Sequence, residues 1–218
     1  MNIQQVTRDF TASEGWVGRL LTACLLALTI IGILPVLGWQ VEIARRVIDD
    51  EKPALPEWTT ERLKDYFYDG LRLALAGFLV MGLPGLLAAK LPLWCLEQLS
   101  QQGLITIHDW ITAESAIVVT AWLVRGTLFM VLITVQCLWV GLLADGASFR
   151  ILFAYRHLWR LLQAARDNYV VAAFMTFMGL GMTLGPALPG MAIVLAGLGH
   201  LYGQVYQEAQ GVLAAREL

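Results

Sequence analysis

The chain has 218 residues, 58% of them hydrophobic and 15% charged, with a mean hydropathy of +0.64. Soluble domains carry about 45–50% apolar and about 25% charged residues, so this composition excludes a disordered, collagenous or water-dissolved monomer and predicts one integral membrane domain over residues 1–218. Fifteen Lys and Arg against seventeen Asp and Glu give a net charge of −2, without the cationic excess of a nucleic-acid-binding protein.

The polar stretch before the first apolar run lacks a small-x-small cleavage site, so that run is expected to be a retained anchor. A helix crosses the roughly 30 Å hydrocarbon core with about 20 residues. Four apolar segments reach that length, at about 20–41, 71–93, 116–144 and 169–199. Pro35 is expected to kink the first, where its missing N–H frees a carbonyl. Pro84-Gly85 is read as a break in the second, and Gly185 to Gly190, around Pro186, as a break in the fourth.

Two polar connections carry helical periodicity. After the surface turn at Asp49 to Pro53, residues 57–69 place Thr59, Leu63, Tyr66 and Phe67 on one side and Glu57, Glu61, Lys64 and Asp65 on the other. Residues 149–166 gather Ile151, Leu152, Tyr155, Leu158, Trp159 and Leu162 opposite Arg156, His157, Arg160 and Gln163, the pattern of an interfacial helix whose cations meet lipid phosphates. The predicted fold is all-α, a polytopic transmembrane helical bundle with two interfacial amphipathic helices. The first connection is acidic and the second basic, so the helix starting near Glu57 is expected to pack beside the one containing Arg156 and Arg160, a pairing that charge reversal at Glu61 and Arg160 would test, or each helix simply faces water.

Ten of the fifteen Lys and Arg lie in or beside these connections, against Arg8, Arg19, Lys90 and Arg216 elsewhere and Arg125 inside a span. The positive-inside rule puts the ten in the cytoplasm of a multi-pass inner-membrane protein. Four full crossings then place both termini outside. If the first and last segments are wedges that enter and leave on one side, both termini are cytoplasmic.

Chemistry is sparse. Arg125 either snorkels to the boundary or contacts a polar ligand within the membrane. His108, His157 and His200 lack partners at metal-ligand spacing, and His200 reads as an interfacial hydrogen-bonding residue or an axial ligand. Cys24, Cys95 and Cys137 are too scattered for a disulfide framework or redox pair. No GxSxG, Walker A, HExxH or GxGxxG motif occurs, so neither enzyme activity nor a cofactor is predicted. Gly181/Gly185 and Gly199/Gly203 have the small-xxx-small spacing of closely packed membrane helices. They serve packing within the chain or contact with a second copy or a partner subunit. Trp16, Trp39, Trp58, Trp94, Trp110 and Trp159 read as an interfacial belt.

Gly38-Trp39-Gln40-Val41-Glu42-Ile43-Ala44-Arg45-Arg46, then Leu55-Pro56-Glu57-Trp58, then Tyr66-Phe67-Tyr68-Asp69-Gly70-Leu71-Arg72, resembles the signature of domain of unknown function 4013. Arg166-Asp167-Asn168-Tyr169 and His200-Leu201-Tyr202-Gly203-Gln204 resemble its weaker C-terminal motifs. The resemblance implies a polytopic membrane protein of bacteria or archaea and no particular activity. Within the motif, Pro56 is expected to start the interfacial helix, Trp58 to anchor it and Gly70 to end it. The expected role is structural, scaffolding or accessory, through lipids, including anionic ones, and helix contacts. The alternative is a transporter of a small molecule or lipid, with broken helices near Pro35 and Pro186 forming its site.

Overall fold

The computed structural model describes residues 3–29, 31–52, 54–84, 107–183 and 188–217, with isolated positions between 87 and 98. Side chains are not described at 179–191 and at many positions of 107–134. Among the described residues the fold is all-α, with no strand. Its helices are α1 (Ile3–Thr11), α2 (Trp16–Ala27), α3 (Ile33–Ile48), α4 (Thr60–Gly77), α5 (Ile107–Ala144), α6 (Tyr155–Ala164), α7 (Arg166–Thr183) and α8 (Leu188–Glu217). Among the described residues, no helix is long and apolar enough to cross a membrane.

The chain forms two compact units, residues 1–75 with 133–218, and residues 76–132. In the smaller unit α4 ends in a π turn, Phe78–Gly82. Pro84 lacks the N–H that would bond Val80, and the Leu83 N–H bonds Phe78 instead, one residue further back. Gly85 lies outside the described residues. Arg125 is in α5, and its side chain lies outside them also.

The larger unit is built from two helical hairpins. The first apolar segment is not one helix kinked at Pro35 but two, α2 and α3, packed together. The break comes at Leu28 to Gly32, where the Thr29 hydroxyl accepts the Gly32 N–H at 2.9 Å. Pro35 sits in the first turn of α3, where N–H groups have no intrahelical partner and a proline removes nothing. The last segment is likewise paired, α7 against α8. Asn168 donates to Glu208, and Thr176 meets the Tyr202 hydroxyl, so positions rise along one helix as they fall along the other. Residues 184–187, including Pro186, lie outside the described residues.

The hairpins meet along α3 and α8. Gly199 lies against Gln40, Gly203 against Ala44, and Gln207 donates to the Ile48 carbonyl at 3.4 Å. These pairs keep one constant offset, so α3 and α8 run parallel. A Cβ on Gly199 would stand 2.6 Å from the Gln40 carbonyl oxygen, and one on Gly203 2.8 Å from that of Ala44. The second glycine pair of the sequence therefore packs within the chain. Gly185 lies outside the described residues, and so do the surroundings of Gly181.

Schellman caps close the two helices that meet at the charged end. After α3, Asp50 adopts φ 52° and the Glu51 N–H returns to Arg46 at 2.8 Å. After α5, Gly146 takes φ 76° and the Ala147 N–H returns to Leu142 at 2.9 Å.

The second amphipathic stretch divides at Ala154 into a 3-10 turn, Phe149–Phe153, and α6. Leu152 and Leu161 are buried, but Tyr155 and Trp159 of the expected apolar face are exposed. The tryptophan belt is also split. Trp94 and Trp159 are exposed, whereas Trp39 is fully buried and belongs to the core.

Candidate functional site: the α3–α4 clasp

The motif residues converge on one crossing. Gly70 does not end a helix; it lies mid-way along α4, which runs on to Gly77. A Cβ on Gly70 would meet the Leu34 carbonyl oxygen at 1.8 Å, and one on Gly38 the Tyr66 carbonyl oxygen at 1.7 Å. The two glycines answer each other, so α3 and α4 approach backbone to backbone.

On one side of the crossing is an aromatic latch. Leu55 to Thr59 lies outside any helix, and α4 starts at Thr60 instead of at Pro56. The Trp39 indole donates to the Pro56 carbonyl at 3.1 Å, Trp58 to the Arg19 carbonyl at 3.0 Å, and the Tyr66 hydroxyl to the Glu57 carbonyl at 3.1 Å. The Trp39 and Trp58 rings lie 5.1 Å apart, and Tyr66 stands edge-on to Trp58 at 5.5 Å. Arg19, at the start of α2, donates to the Leu55 carbonyl and pairs with Glu57 at 2.8 Å. Trp58 is therefore a half-buried bolt between residues 55–59 and the α2–α3 hairpin, and Arg19 lies beside Glu57.

On the other side is an ionic hub. Arg45 pairs with Glu42 and with Asp69 at 3.1 Å, and its Nε donates to the Ala144 carbonyl at the end of α5 at 3.1 Å. Helix C-termini carry unpaired carbonyls and partial negative charge, which a guanidinium satisfies. Glu42 also takes Arg46 at 3.5 Å and Arg62 at 3.8 Å, and Asp69 takes Arg72 at 3.3 Å. Burial alone would lower the Arg45 pKa, but Glu42 and Asp69 more than offset it and raise it above the ordinary arginine value. The Arg45-Arg46 pair and the Asp69-Gly70 pair, 24 residues apart in sequence, are thus two halves of one contact.

The acidic and basic helices do not pair. No Glu61–Arg160 bridge exists among the described residues; Glu42 and Asp69 satisfy the cations of the α3–α4 junction, while α6 packs on α7 and α8. Arg156 turns to Tyr155, its Nε 3.0 Å from the hydroxyl.

Beside the latch a cleft of about 560 Å³ is lined by Asp9, Glu14, Arg19, Lys52 and Glu57. Asp9 is fixed from beneath. Its Oδ2 lies 3.0 Å from Nε2 of His200, which is fully buried, and Nδ1 of that ring lies 3.2 Å from Gln204 Nε2. With both ring nitrogens engaged, His200 has none left for an axial ligand. Among the described residues no group of three His, Cys, Asp or Glu could hold a metal ion. Two participants escaped sequence reasoning. Asp9 carries only the weak Val6/Phe10 pattern of a nine-residue helix. Gln40 is wholly buried with both amide atoms unpartnered, and although it lies in the signature run, nothing in the sequence marks it as buried.

The arrangement contains hydrogen bonds, ion pairs and stacked rings that hold helices. In comparison with known proteins, the family model for a protein of unknown function, DUF4013, matches residues 21–202. No curated protein and no solved structure matches the chain.

Proposed function

The chain belongs to the DUF4013 family, and from that premise we propose that it is a membrane-embedded protein with a structural, scaffolding or accessory-subunit role, acting through lipid and helix contacts rather than catalysis. The observation that carries the reading is the apolar outer surface of the larger unit. Val17, Leu21, Leu25 and Leu28 form an exposed ridge along α2, and Val170, Phe174, Phe177 and Met178 another along α7. Ridges of this kind are unstable in water and suit acyl chains or a partner helix. Exposed Tyr155 and Trp159 beside Arg156 and Arg160 suit anionic headgroups. The α3–α8 contact is closed by Gly199 and Gly203, which leaves the transport reading without an opening along that contact.

Alkaline carbonate washing of isolated membranes tests the first part: protein retained in the pellet supports it, and release into the supernatant overturns it. Purification in mild detergent tests the role. A stoichiometric partner subunit or second copy supports scaffolding, whereas a bound solute with neither overturns it in favour of transport.

A further inference from the structure

The two hairpins differ from ordinary membrane spans in where their ends lie. In one continuous helix Arg19 and Glu57 would stand about 57 Å apart at 1.5 Å per residue, yet they form an ion pair at 2.8 Å. The chain therefore leaves and returns at the same level. The second hairpin does likewise, because Asn168, at the start of α7, meets Glu208 far along α8. Since α3 and α8 are parallel, the two hairpins point the same way. The polar groups collect at their common open end: the Arg45 hub, the Asp9–His200 pair, and the Tyr206 hydroxyl bonded to Asp145 at 3.0 Å. At the opposite end of the first hairpin, Leu28 is 55% and Ile31 74% exposed.

The arm lengths identify what covers that surface. From the turn to the first charge, α2 supplies Leu20 to Ala27, eight residues, and α3 supplies Ile33 to Val41, nine, or about 12–14 Å. That is a little under half of the roughly 30 Å hydrocarbon core. We propose that α2–α3 is a re-entrant wedge whose occupant is the acyl-chain region of a single leaflet, with Leu28 and Ile31 near the bilayer midplane and the clasp at the headgroups. This rests on the membrane reading above. The arms satisfy the requirement that backbone in lipid be hydrogen-bonded internally, since each is helical and only the turn needs side-chain help, which Thr29 gives.

Single cysteines at Glu14→Cys, Asp50→Cys, Ser148→Cys and Ile31→Cys, in a full-length Cys95→Ser chain, test the wedge. Buried Cys24 and Cys137 set the background. A membrane-impermeant maleimide is applied to right-side-out and inside-out vesicles, with detergent-solubilised protein as the full-labelling reference. Positions 14, 50 and 148 are expected to label from one common face, and position 31 only after solubilisation. A fluorophore on position 31 is expected to be quenched most by lipids brominated near the acyl terminus. Labelling of positions 14 and 50 from opposite faces overturns the wedge in favour of a crossing. Strongest quenching near the headgroup overturns it in favour of arms lying flat. In both cases carbonate-resistant protein leaves the membrane reading standing, whereas carbonate-released protein removes both.

Discussion

Arg45 holds three helices through one side chain: its own, α4 through Asp69 and α5 through the Ala144 carbonyl. Its side chain is about a third exposed, 34%, so solvent screens part of the attraction. A double-mutant cycle of Arg45→Ala and Asp69→Ala, followed by thermal unfolding in detergent, is expected to give a coupling energy of about 1 kcal/mol. Zero coupling would show that Arg45 acts through Glu42 and the α5 carbonyls rather than through Asp69. Tyr206 supplies a pH dependence. Burial first, and Asp145 next, push its hydroxyl up to about 12 against an ordinary 10, although the Gln210 hydrogen bond opposes them. The unfolded chain ionises first, so this contribution is whole below pH 10 and is lost as pH rises through about 12. Tyr206→Phe is expected to make the decline of stability between those values shallower than in the wild type. An unchanged slope would mean that other groups carry it.

Helix against helix, the smallest residues decide the geometry. Gly38→Ala puts a methyl 1.7 Å from the Tyr66 carbonyl oxygen, and backbone cannot yield as a flexible side chain does. The expected loss is at or beyond the upper end of the about 1–3 kcal/mol typical of overpacking. Pro35→Ala, by contrast, forfeits only ring contacts at a helix start and is expected to cost about 1 kcal/mol or less. Unfolding midpoints of the two variants check the order; a reversal would restore Pro35 as the hinge. The contrast also explains why sequence reasoning misplaced both features. A proline looks the same whether it breaks a helix or opens one, and a glycine looks the same whether it caps a helix or admits a neighbouring backbone. Only the partner, 28 residues away for Gly38 and 36 for Gly70, distinguishes the cases.

In the molecule as a whole, what could be read in advance was what depends on runs of like residues. Helical class follows from long apolar stretches with 3.6-residue patterning in the connections, and the Asp49–Asp50 turn from its charge. The family signature was legible as a set of residues, but not as a contact, since Trp39, Pro56, Tyr66, Arg45 and Asp69 meet only after α4 folds back on α3. The Glu61–Arg160 pairing failed for the same reason. Net charge of a loop says nothing about which groups meet, and the cations of α3 and α4 nearest the junction, Arg45, Arg46 and Arg62, take Glu42 on α3 itself. Whether the first segment runs straight or folds back was open in the sequence because hydropathy measures length and not direction; the Arg19–Glu57 bridge shows that it folds back.

That bridge bears on how the protein is made. A segment that ends on the side where it began draws no charged stretch through lipid, where each Arg or Asp costs about 2.5–3.5 kcal/mol at the bilayer centre. If α2–α3 is embedded as the proposed wedge, Arg8, Asp9 and Glu14 would stay in the compartment of synthesis, and α2 would enter only once α3 had followed it out of the ribosome. Insertion of this part of the chain would then wait on the folding of a pair rather than on the export of a terminus.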